Sequence, residues 1–244
     1  GEFSARGGFN GDFAGDLNGQ TRISGQVVTQ KNGVAVRIAA NDAGGVFRAA
    51  GVLRHGSGGS FDMTLLPAGK AGEFNGSLKV RNVRVKEAPS MAALLNAVSL
   101  VGLLDELTGR GILFTEVDAG FRLGPSYVQV DEGSAVGPSM GLSLDGYYDT
   151  GSSALDMRGV ISPIYLINAI GRVIARKGEG LIGFSFRLRG TADDPKVTVN
   201  PLSGLAPGVF RELFRGPAPR IPGQEPDTPQ DSAPASVGPG GGER

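Results

Sequence analysis

The 244-residue chain has no cysteine and no tryptophan, and His55 is its single histidine. The missing cysteines exclude disulfides and thiolate metal sites while leaving the compartment open. One histidine cannot build a histidine metal cluster. Without tryptophan, the usual stacking platform for sugar rings is missing. Net charge is absent as well, because 24 Lys+Arg balance 24 Asp+Glu. Nucleic-acid binding rests on clustered positive charge, and so does attachment to an anionic membrane surface. The balance argues against both. No run reads as a transmembrane segment and no signal peptide opens the chain. It begins Gly1-Glu2-Phe3 and reads at once as strand and turn. That marks it as a piece of something longer, whose N-terminal part is expected to carry the targeting signal.

Glycine and short apolar alternations fill the space instead. There are 41 Gly and 15 Pro, and 40% of residues are hydrophobic. Glycine recurring between short alternating runs fits many strands joined by tight turns. Val34, Val36 and Ile38 alternate after an Asn32-Gly33 hairpin signal. So do Phe61, Met63 and Leu65, then Phe74, Gly76, Leu78 and Val80. Further on come Ala119, Phe121 and Leu123, then Val128 and Val130, then Met140, Leu142 and Leu144, then Leu155 and Met157, with Phe184, Phe186 and Leu188 later. Val197 and Val199 close the series after the Asp193-Asp194-Pro195 turn. Gly124-Pro125, Gly137-Pro138 and Thr150-Gly151 punctuate it. The expected fold class is mainly β: an antiparallel, twisted and curved sheet forming a groove, with one apolar and one wet face.

Helical spacing interrupts the strands. Asp42 is a fitting N-cap for a short helix that Gly51 ends, with Val46, Phe47 and Ala50 facing inward. Ser90 opens a helix over 90–108 carrying Met91, Leu94, Val98 and Val101, and Gly109 stops it. Its uncharged run from Met91 to Leu104 spans about 21 Å at ~1.5 Å per residue. That falls short of a bilayer core of about 30 Å. It either packs on the sheet or lies at a membrane interface or plugs a groove. A second amphipathic helix is predicted over 163–177, with Ser162 as cap and Pro163 in the first turn. Both are expected on the apolar side. A short helix is predicted over 207–214. Domain organisation follows: a β-groove domain over 1–215 and a disordered Pro/Gly-rich tail over 216–244.

Catalytic signals are weak. Gly137-Pro138-Ser139-Met140-Gly141 has the G-x-S-x-G spacing of a nucleophile elbow. That motif needs a following helix and a later histidine, whereas a strand pattern follows and no histidine lies downstream. His55 sits in a loop composition. Asp118, Asp131, Glu132 and Asp145 are candidate carboxylates, but nothing singles out a pair. No cofactor or metal motif is present. The expectation is a protein that is not an enzyme. Its candidate functional residues are those of the apolar strand phase: Phe61, Met63, Leu65, Phe74, Phe121, Leu123, Leu142, Leu144, Met157, Phe184 and Phe186. They form either an ordinary core under helices or a groove for acyl chains.

Several stretches resemble the C-terminal region of AsmA-like proteins of Gram-negative bacteria, with an alphaproteobacterial flavour. They include Asn41-Asp42-Ala43-Gly44-Gly45-Val46-Phe47-Arg48-Ala49-Ala50-Gly51 and the run from Ala88-Pro89 to Leu103-Leu104. Gly137-Pro138-Ser139-Met140-Gly141-Leu142 and Ser162-Pro163-Ile164-Tyr165-Leu166-Ile167-Asn168 continue them. The closing run from Gly190-Thr191-Ala192-Asp193-Asp194-Pro195 to Pro201-Leu202-Ser203 is the most specific. The resemblance implies a periplasmic β-groove anchored in the inner membrane by an N-terminal helix, with no catalytic residues. It also implies phospholipid transfer toward the outer membrane, acyl chains as ligand and support of outer-membrane integrity. A structural module that docks an envelope protein partner is the other function the reading leaves open, and a hydrolase is a third class.

Overall fold

Alternating residues put one phase of each strand on each side of a sheet. A computed structural model of the chain describes residues 2–4, 8–163, 183–191, 194–200 and 218–221. Its strands are β1 (Glu2–Ser4), β2 (Gly8–Leu17), β3 (Thr21–Gln30), β4 (Gly33–Ala40), β5 (His55–Ser57), β6 (Ser60–Pro67) and β7 (Phe74–Lys86). They continue with β8 (Ile112–Gly124), β9 (Tyr127–Val136), β10 (Met140–Asp149), β11 (Ala154–Pro163), β12 (Phe184–Thr191) and β13 (Pro195–Asn200). The helices are α1 (Ala43–Ala49), α2 (Pro89–Ala97) and α3 (Val101–Thr108). All 13 strands among the described residues belong to one sheet, in chain order except that β5 pairs aside with β7. Every pairing is antiparallel. The mainly β, open, twisted groove-like sheet expected from the alternation is what forms.

The turns at residues 31–32, 68–73, 125–126 and 150–153 share one end of the strands, and α1 and α2–α3 leave from the other, together with the short loops at 18–20 and 137–139. One extra residue on β9 shifts the register with both neighbours, between Val130 and Gly133. Such a bulge adds local twist, which helps the sheet curl. The curl brings β13 onto α2, while α3 packs on β7 and β8. The core therefore sits at the helical end, around Leu94, Leu95, Leu103, Leu107, Val80, Ile112, Met140 and Ile161.

Several local expectations need correcting. The helix predicted over 90–108 is two helices, and its cap is Ala88 rather than Ser90. Leu94 and Leu103 are nine positions apart, so a straight helix at about 100° per residue would put them on opposite sides. Ser99, at φ +57°, breaks the helix and lets both be buried. Asp42 does cap α1, accepting the Gly45 N–H at 3.0 Å and also the Gly58 N–H at 3.2 Å. Ala50, however, is exposed, and Ala43, Gly44 and Gly45 are the buried face. The hairpin turn is residues 31–32, with Gly33 opening β4 at φ +138°. β11 runs through Ser162 and Pro163, because Pro163 pairs with Met140 instead of starting a helix. The rest of that predicted helix and the one over 207–214 lie outside the described residues. So does most of the tail, of which residues 218–221 are described. Pro219 is buried against β9 and accepts a hydrogen bond from Gln129 Nε2 at 3.2 Å.

Candidate functional site

Directly paired residues of an antiparallel sheet share a face, so register turns the alternation into rows across the strands. Row one is Ile23, Ala40, Phe61, Val80, Val117, Ala135, Leu142, Ile161 and Phe184. Row two is Gly25, Ile38, Met63, Leu78, Ala119, Gly133, Leu144, Gly159, Phe186 and Val199. Row three is Val27, Val36, Leu65, Gly76, Phe121, Val130, Gly146, Met157, Leu188 and Val197. A fourth line begins Phe74, Leu123, Val128, Tyr148 and Leu155. No charged side chain stands in any of these positions. The inner face is thus a continuous apolar floor.

Gly76 and Gly159 in the floor are covered by rings from the neighbouring strand. A Cβ on Gly76 would come 2.3 Å from the Phe121 ring, and one on Gly159 would come 2.8 Å from that of Phe186. A ring laid over a paired glycine fills the space that the glycine leaves empty, the cross-strand rescue known for strand glycines. Phe47 meets Phe61 edge-on at 5.9 Å between ring centres, tying α1 to row one.

The helices divide the eleven candidate residues. Phe61, Leu142 and Phe186 are 6–8% exposed and belong to the core, so they are not open groove positions. Met63, Leu144 and Phe184 are half-buried against that core. Leu65, Phe74, Phe121, Leu123 and Met157 are half-buried and stand outside it. The sequence marked the strand phase but not its depth under α1–α3. Register also adds Val27, Val36 and Val130 to the open part of the floor.

The opposite face is polar and cross-linked. Arg37 pairs with Asp62, Arg81 with Glu116 at 2.6 Å, and Arg158 with Asp145 at 2.6 Å. Arg187 and Arg189 both reach Asp156, at 2.8 and 3.3 Å. Burial pushes the Asp156 carboxyl up, but the two guanidiniums outweigh it and hold it below its usual value. The backbone N–H and hydroxyl of Ser152 likewise hold Asp149 low. Beneath Pro219 lies a buried polar patch that the sequence did not announce. Gln129 donates to Gly146 O at 3.1 Å there, beside the nearly buried Asp145–Arg158 pair. The only signal was opposite charges at facing positions of β10 and β11. A shallow depression of about 660 Å³ on β2–β4 involves Asp12, Ser24, Gln26 and Arg37 of this same face.

Asp145 of β10 lies opposite the Asp131–Glu132 bulge of β9, whereas Ser139 and His55 sit on other elements. Residues 137–139 are the hairpin loop between β9 and β10, closed by Gly137 N–H to Met140 O at 2.9 Å. The G-x-S-x-G spacing there leads into a strand, without the helix a nucleophile elbow needs. His55 opens β5 instead of lying in a loop, and faces Glu87 at 3.4 Å. Asp131 and Glu132 are exposed at the bulge, and Asp118 approaches Arg81 at 3.7 Å. Among the described residues no group of three or more His, Asp or Glu is placed to hold a metal ion. Among the same residues no helix is long and apolar enough to cross a membrane. Comparison with protein-family models, with curated proteins and with solved structures finds no match for this chain.

Proposed function

We propose that this chain is a non-enzymatic segment of a groove that carries phospholipid by its acyl chains. The observation that supports this most is row three, apolar across ten strands and largely outside the core. An acyl chain on such a floor gains about 25 cal/mol per Å² of apolar surface removed from water. Neighbouring positions offer the same chemistry, so sliding along the row costs little and leaving it costs much. The resemblance to AsmA-like proteins supports a place in the periplasm, within an inner-membrane-anchored protein that serves the outer membrane. Asp62, Glu116 and Asp145 sit in ion pairs on the far face, which fits a role without catalysis.

The test is mass spectrometry of lipid extracted from the full-length protein, purified from membranes in mild detergent. Phospholipid in stoichiometric amount is the expected result. Folded protein that carries none, and takes up none from vesicles, would refute the reading. A second reading rests on the cover that α1–α3 lay over row one. There the sheet is a scaffold, and an envelope protein docks on it.

A further inference from the structure

We infer that the seat of α2–α3 is itself an acyl-chain site, filled in this structure by the chain's own helices. This rests on the groove reading above. The floor does not change where the helices sit on it. Rows one and two pass from β7 and β8 into β10–β12 with the same apolar chemistry, in Leu142, Leu144, Ile161, Phe184 and Phe186. What changes is the cover.

The cover has the properties of a ligand. From residue 88 to residue 104 it carries no charge. Leu94, Leu95, Leu103 and Leu107 are its buried contacts. Among the described residues no side-chain hydrogen bond or ion pair ties α2 or α3 to β10–β13. The bonds that Thr108 and Arg110 make stay within the helix and its end. Apolar attraction is non-directional and scales with area. One apolar cover can therefore replace another with little net change, as long as the helices then find lipid or a partner surface.

The tethers are built to turn. Glu87 at φ +49° precedes α2, Ser99 at φ +57° separates the helices, and Gly111 at φ +84° follows α3. These are left-handed positions at both ends and the middle of one insertion, where a few residues can absorb a large change of direction. Exposed Val101, 64% accessible at the corner, offers the first apolar contact to an incoming chain.

The test uses the full chain and phosphatidylethanolamine carrying a diazirine in one acyl chain, supplied in phosphatidylethanolamine–phosphatidylglycerol vesicles. Adducts are mapped by peptide mass spectrometry, and amide exchange over 89–108 is followed with and without vesicles. The expected result is label at Leu65 and Phe121 and also at Leu144 or Phe186, with exchange over 89–108 about tenfold faster. Leu95→Ala, which loosens the seat, should raise label at Leu144 relative to Leu65. Label confined to Leu65 and Phe121 with unchanged exchange would overturn the inference and leave the groove standing. No label anywhere on the inner face would overturn both. The exchange measurement on the unaltered chain decides even if Leu95→Ala fails to fold.

Discussion

Row one and row three run through the same strands and are made of the same kinds of residue. They differ in what lies over them. Val80 and Ile161 of row one are fully buried, because α1–α3 and the curled sheet enclose them. Leu65, Phe121 and Met157 of row three are half-buried, on the side where tight turns join the described strands. Alternation of apolar and polar residues therefore reports a side of the sheet. It does not report how deep each position on that side lies. Depth depends on where the long insertions leave the sheet, and the two described ones, α1 and α2–α3, leave from one end.

The largest expected effect breaks the comparison at row one. Leu142→Asp or Phe186→Asp should unfold the chain rather than empty a groove, because an unpaired charge would be enclosed there. Even Leu142→Ala should cost about 2–5 kcal/mol, read as a fall in the urea midpoint. Next comes row three. Leu65→Asp or Phe121→Asp should leave the circular dichroism spectrum unchanged and cost roughly 1–2 kcal/mol, because both positions are half-buried. Lipid retention should fall in the same variants. Equal destabilisation at Leu142 and Leu65 would erase the distinction between the rows.

Smaller effects sharpen it. Gly76→Ala places a methyl group against the Phe121 ring and should lift that ring into the groove. About 1 kcal/mol of destabilisation is expected, with altered labelling at position 121 and none at Leu142. On the wet face, Asp156 is held low by its arginines in the folded state. Its carboxyl thus contributes stability that is present above its unfolded value, about 3.9, and lost as pH falls through its lower folded value. Melting temperature followed from pH 6 down to pH 2 should fall less steeply in Asp156→Asn than in the parent chain. Asp42→Ala removes the α1 cap and should cost about 1 kcal/mol, which for a chain of this size is a drop of roughly 2–4 °C.

Much of the fold was legible because strand chemistry is local. The Asp42 cap, the glycine and proline turns and every alternating run emerge from nearest neighbours. The break at Ser99 was not, since it answers to where Leu94 and Leu103 must both point once the sheet has curled. The strand identity of Ser162 and Pro163 was hidden for a related reason. Ser-Pro is a good helix opening, and only pairing with Met140 and Gly141 overrides it. Pro219 docking on Gln129 joins residues 90 positions apart and has no local sign. The eleven candidate residues share one face of the sheet. The division of that face into core and open floor needed the register and the helices together.

The central claim is that the open floor follows row three. A photo-crosslinking amino acid placed in turn at Leu65, Phe121 and Met157, and at Thr64, Arg122 and Asp156 as their wet-face neighbours, tests it in the protein purified from membranes. Phospholipid adducts at the first three positions and none at the last three are the result this account predicts. Adducts on both faces alike, or on neither with the chain folded, would contradict it.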